Sequence, residues 1–160
     1  MREPKRIMVG IDFSEYSREA ARYAAFLSQK LGAEIDFVHV CTMPAFANTG
    51  YGSYAPLQVN EYVCRQKEIE AEHVNELKRF VAEFETPELK LSYFVLTGNP
   101  QAEILRHAVD RQIDLIVVGS HGRTGLSQIL IGSVAEKILR RARCPVLTVK
   151  LSHQDFVLPG

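Results

Sequence analysis

IDLIVVGSHGRTGLSQILIGSVAEKILRRARCPVLTV, residues 113–149, carries an apolar run, a glycine-bearing loop, an amphipathic helical pattern and a second apolar run, in that order. Ile113–Val118 leads into the loop, with Asp114–Val118 predicting a strand. Val134, Ile138 and Leu139 mark the helical pattern that runs to Arg143, and Pro145–Val149 predicts the next strand. Arg140, Arg141 and Arg143 sit at the helix C-terminus, where cations favour the helix dipole; capping is preferred there to phosphate binding. Two strands joined through a helix make a parallel crossover unit.

Upstream the same unit recurs. Arg6–Ile11 is apolar without alternation, as in a strand covered on both faces. Asp12 ends it, and Ser14 and Ser17 are both candidate N-caps. Ala20, Ala21, Ala24, Phe26, Leu27 and Leu31 have helical spacing, and Gly32 is a natural stop. Glu34–Val40 predicts the second strand. Cys41–Leu57 reads as a long loop whose aromatics suit a lid, a partner surface or disorder. Val59–Phe84 predicts a long helix with a stripe of Val59, Val63, Ile69, Val74, Leu77, Phe80, Val81 and Phe84. Leu89–Leu96 predicts the third strand. Asn99 then fits an N-cap and Pro100 the first helical position, with Ile104, Leu105, Ala108 and Val109 toward the core. Strands and helices alternate throughout, which predicts an α/β fold with a parallel five-stranded sheet covered on both faces. Two-way winding suggests the order 3-2-1-4-5, with Asp12 and Gly119 flanking the reversal where ligands bind.

The 160 residues make one ordinary domain. The 19 basic and 19 acidic side chains balance, which argues against a general nucleic-acid binder. Cys41, Cys64 and Cys144 lack metal-ligand spacing and read as buried or half-buried thiols in a reducing compartment. The N-terminus lacks a signal-peptide core and no apolar stretch reaches the roughly 18 residues of a membrane span, so a cytoplasmic location is expected.

Within Gly119–Ser133 the glycines at 119, 122, 125 and 132 would let the backbone approach a phosphate, and Ser133 would meet it at a helix N-terminus. Arg123 adds a donor, and His121 either bonds or faces solvent. The alternative is that the glycines simply permit a surface loop. The loop has no lysine for GxxxxGK[ST], and its spacing fails GxGxxG. Asp12 either accepts from ribose hydroxyls, helps hold a metal, or caps the first helix. Ser133, His121 and Asp12 form no hydrolase motif, because a GxSxG elbow is absent; HExxH is absent too. His39, His73, His107 and His153 are scattered and read as structural or surface residues.

Gly119-x-x-Gly122, nine residues, then Gly132-Ser133 resembles the ATP-binding signature of the universal stress protein family. VGID at the start, TGNP before the third helix, DLIVVGSHGRTG and the closing GSVAEKILRRARCPVLTV agree with it, so that the resemblance covers Lys5–Lys150. It implies a single-domain, Rossmann-like fold of order 3-2-1-4-5 over residues 1–150, with 151–160 a tail. It implies ATP, with or without Mg2+, at the carboxyl edge. Asp12 would contact the ribose and Val40 the adenine, while Gly119, Gly122, Arg123, Gly132, Ser133 and Val134 would line the phosphates. It also implies a homodimer through Val146, Leu147, Thr148 and Val149, and a regulatory stress-response role acting on a client protein through nucleotide occupancy. Binding is expected rather than turnover. A slow ATPase or nucleotidyl transferase on the same fold, and a scaffold with an empty cleft, are the alternatives.

Overall fold

The computed structural model describes residues 3–42, 56–122 and 131–151. Five strands, β1 (Arg6–Ile11), β2 (Glu34–Cys41), β3 (Leu91–Thr97), β4 (Leu115–Gly119) and β5 (Val146–Val149), form one sheet of order β3-β2-β1-β4-β5. Every pairing is parallel. Helices α1 (Glu15–Leu31), α2 (Pro56–Val81), α3 (Pro100–Asp110) and α4 (Ser133–Arg141) connect them. The winding reverses at β1, between β2 and β4, as the two-way reading requires.

Side-chain alternation on β1 divides the core into two layers. Ile7, Val9 and Ile11 pack with Ala20, Ala21 and Ala24 of α1 and with Leu77 and Val81 of α2. Met8 faces the other way, with Ile104 and Ala108 of α3 and Ala135 and Ile138 of α4. Both faces of β1 are covered, which is why its sequence shows no polar alternation. On the face that carries Met8, Asp36 of β2 is buried, with its carboxylate accepting from Arg111 Nε at 3.0 Å and lying 3.3 Å from His107 Nε2. Burial alone would raise the Asp36 pKa; hydrogen bonds to His107 and Arg111 and the guanidinium charge outweigh it, and hold the carboxyl below its ordinary range.

Local signals set the helix ends. Ser14 caps α1 by accepting from the Ser17 N–H, so of the two candidate caps it is Ser14 that acts. Gly32 closes α1 at φ +65°, a conformation that a Cβ would strain. Asn99 caps α3, with Pro100 next in line. Six of the apolar residues that mark the helical patterns are exposed: Phe26, Leu31, Ile69, Val109, Val134 and Leu139. Phe26 lies two residues beyond Ala24, about 200° around the helix, and carries Lys30 over its ring. Val109 is five residues past Ile104, about 140° away. Ile69 belongs to the longest helix: the 26 residues of α2 span about 39 Å, more than a strand of this sheet can cover.

Helix α2 starts at Pro56, three residues before the expected Val59, and ends in a 3-10 turn at Ala82–Phe84. β2 runs one residue further than expected, to Cys41, whereas β3 starts later, at Leu91, and ends at Thr97. Most of the Cys41–Leu57 loop and the tail beyond 151 fall outside the described residues. Cys64 is exposed, while Cys41 and Cys144 are half-buried, so the expectation of covered thiols holds for two of the three.

Candidate nucleotide cleft

At the carboxyl edge of the sheet, β1 delivers Asp12 and β4 delivers Gly119 on either side of the reversal. Asp12 Oδ1 accepts from the Ser14 N–H at 3.0 Å and from the Ser14 hydroxyl, and Ser14 Oγ accepts from the Ser17 N–H at 3.2 Å. One carboxylate oxygen therefore organises the start of α1, as the capping alternative supposed. The intervening Phe13 sits at φ +64°, a left-handed conformation that costs about 1–2 kcal/mol for a residue with a side chain. Its ring packs at 4.5 Å from His39 and 5.4 Å from Phe80, so the surrounding packing holds the strained turn in place.

On the opposite side the loop after β4 is pinned at its base. The Ser120 N–H donates to the Val149 carbonyl at 2.8 Å, and the Gly132 N–H donates to the Ser120 carbonyl at 2.7 Å. This brings the two ends of the loop together: a Cβ on Gly132 would lie 3.3 Å from His121 Cα and 3.5 Å from the Gly122 nitrogen. Gly119 has a different reason for lacking a side chain. A Cβ there would lie 2.7 Å from Tyr16 Cβ and 2.8 Å from the Tyr16 carbonyl carbon, so this glycine allows α1 to close on β4. Its peptide still lines the cleft.

Helices α1, α3 and α4 begin at this edge. Side chains cap α1 and α3, but α4 starts behind Gly132, which supplies no side-chain cap. The first N–H groups of a helix have no partner within it, and they present partial positive charge to an anion. Beside them His121 Nδ1 lies 3.0 Å from Ser120 Oγ, and the ring stands 5.0 Å from that of Tyr16. His121 Nε2 is buried with no hydrogen-bond partner among the described residues.

These parts enclose a cavity of about 530 Å³, within the size range of small-molecule sites. Asp12, Val40, Gly119, Gly122, Gly132, Ser133 and Val134 all line it, so seven of the eight residues singled out from sequence converge here. Arg123 lies outside the described residues. Asp12 contributes the only carboxylate among the described lining residues. The far wall was not foreseen: His39, Cys41, Thr42 and His73 line the same space. His39 and Cys41 are two apart on β2 and so share a face, the one sequence signal that pointed to them.

The family model of the universal stress proteins matches residues 3–150 of this chain. A relative, universal stress protein MJ0531 of Methanocaldococcus jannaschii, is 35% identical over 152 residues, covering 94% of this chain and 85% of its own. Among solved structures, that of the hypothetical protein MJ0577 superposes with a TM-score of 0.72 at 26% identity, covering 96% of this chain and all of the other. A universal stress protein from Archaeoglobus fulgidus, solved in complex with dAMP, gives a TM-score of 0.59 at 21% identity, covering 93% of this chain and 100% of the other. With matching strand order and a family match across nearly its whole length, the chain belongs to the universal stress protein family.

Proposed function

We propose that residues 1–150 form one nucleotide-binding domain that holds ATP in this cleft and acts as a cytoplasmic regulator in the stress response through its occupancy. The observation that carries the reading is the convergence of Asp12, the Gly119–Gly122 turn and the uncapped start of α4 around one cavity. A family neighbour that holds dAMP supports an adenine nucleotide as the ligand. The base would lie toward Val40, the ribose toward Asp12, and the phosphates toward Gly122, Gly132, Ser133 and Val134. Arg123 would supply a charged donor to the phosphates. Mg2+ would take its oxygens mainly from the phosphates and from water, with Asp12 the nearest carboxylate.

The donors around the phosphate end stabilise bound charge, and the hydroxyl of the Ser120–His121 pair belongs to a buried residue outside the cavity lining, so binding is favoured over turnover. In this reading two chains pair through β5. Among the described residues its neighbour in the sheet is β4 alone, which leaves the other edge open there. The carbonyls of Pro145 and Val149 accept from β4 and the residue that follows it, so by alternation Val146 and Thr148 direct their backbone groups outward.

Calorimetry with ATP on the wild type and on Gly132→Val tests the site. We expect saturable binding of one nucleotide per chain, lost or severely weakened in the variant, while the circular dichroism spectrum is retained. Equal affinity in both proteins would remove the loop from the binding site. Incubation with labelled ATP and magnesium tests the enzymatic alternative: rapid turnover abolished by Asp12→Asn would replace binding with catalysis.

A further inference from the structure

His39 and Cys41 of β2 and His73 of α2 meet at one wall of the cavity, each presenting a ligand atom within 4.8 Å of the others. The His39 ring is already oriented. Its Nδ1 stands 2.8 Å from the Ile11 carbonyl, which can only accept, so the proton is on Nδ1 and the lone pair on Nε2. This is how protein carbonyls hold metal-binding imidazoles. Phe13 packs against the same ring, and the His73 ring lies 5.5 Å away at 31°. His73 offers an independent sign. Its Nδ1 is buried without a hydrogen-bond partner among the described residues, and the nearest carboxylate, Glu76 Oε2, is 3.6 Å away. Buried polar atoms left in this state are uncommon and call for a ligand or water.

Two imidazoles and a thiolate are too soft a donor set for Mg2+ or Ca2+, and suit Zn2+. Zn2+ with three protein ligands keeps its fourth tetrahedral position for water or a ligand. With Zn–N near 2.0–2.1 Å and Zn–S near 2.3 Å, donor atoms in a tetrahedral site are about 3.3–3.6 Å apart, so closure from 4.8 Å needs side-chain movements of about 1 Å. We propose that His39, Cys41 and His73 form a three-ligand Zn2+ site whose fourth position opens into the cavity. Binding converts the Cys41 thiol to a zinc thiolate and releases its proton to solvent, with no change of oxidation state. The site uses none of the residues assigned to the nucleotide, although His39 and Cys41 flank Val40 and the open position shares the nucleotide's cavity.

The test uses the full chain, stripped with chelator and titrated with Co2+ as a spectroscopic stand-in, then with Zn2+. We expect one Co2+ per chain, a thiolate-to-cobalt charge-transfer band in the near ultraviolet, and displacement by Zn2+. Cys41→Ser should abolish the band. His73→Gln should weaken Zn2+ at least about tenfold in chelator competition. Both positions are only half-buried, and circular dichroism checks that each variant folds. The double variant Cys64→Ser/Cys144→Ser should keep the band, since of the three cysteines only Cys41 lines this cavity among the described residues. Failure to bind one equivalent, a band that survives Cys41→Ser, or unchanged Zn2+ affinity in His73→Gln would each overturn the assignment.

Discussion

Asp12 Oδ2 stands 2.9 Å from the place a Cβ would take on Gly122. The two residues come from opposite sides of the winding reversal, and the missing side chain lets them meet. The other oxygen, Oδ1, is engaged by Ser14, so the carboxylate cannot swing away without disturbing the start of α1. A methyl group at position 122 therefore displaces the acid at the mouth of the cleft. Gly122→Ala should lower ATP affinity at least about tenfold, or about 1.4 kcal/mol, while destabilising the fold by less than about 1 kcal/mol. Calorimetry paired with urea unfolding separates these effects, and an unchanged affinity would mean that the Asp12 position does not matter to the ligand.

Gly119→Ala should behave in the opposite way. Its methyl would meet backbone and Cβ atoms of Tyr16, which cannot rotate aside. Overpacking of this kind costs about 1–3 kcal/mol, so a clear drop in the urea midpoint is expected. A variant as stable as the wild type would show that α1 can retreat from β4 without penalty.

The buried Asp36 predicts acid sensitivity. Its pKa is lower in the folded chain than in the unfolded one, so its stabilising contribution is complete above the ordinary carboxylate pKa and is lost as pH falls through the folded value. Urea midpoints measured from pH 7 downward should decline below about pH 4. Asp36→Asn should remove that portion of the decline and cost about 1–3 kcal/mol at pH 7, less than a fully buried pair because Arg111 is 37% exposed. Parallel pH profiles for the two proteins would assign the acid sensitivity elsewhere.

Thr148→Pro tests the pairing of β5. The substitution removes an outward N–H and leaves the bonds that Pro145 and Val149 accept from the sheet. Sedimentation should show a dimer for the wild type and a folded monomer for the variant. A variant that remains dimeric would move the interface away from this edge.

Much of the fold was legible because it rests on short-range patterns. Gly32, Asn99 and Pro100 mark helix ends through their own backbone preferences, and unbroken apolar runs mark strands buried on both faces. The near half of the cleft was legible because it lies at strand ends, where the alternation of elements already places it. The exposure of Phe26 and Val109 was harder to read, since an apolar residue at loosely helical spacing can face either the core or solvent. The far wall was harder still. His39 and Cys41 sit among apolar strand residues, and His73 lies in a highly charged helix with no spacing that links it to them.

By itself, then, the sequence determined the alternating α/β order, the family and the ends of the helices, because each depends on residues close together in the chain. Tertiary structure decided what each glycine is for. Gly119 admits Tyr16, Gly122 admits the Asp12 carboxylate, and Gly132 admits the backbone of the loop. It also decided that His39, Cys41 and His73 share a wall of the cavity, and that Asp36 lies buried between His107 and Arg111. These are contacts between segments far apart in the chain, and only the packing of α1 and α2 on one face of the sheet, and of α3 and α4 on the other, brings them within reach.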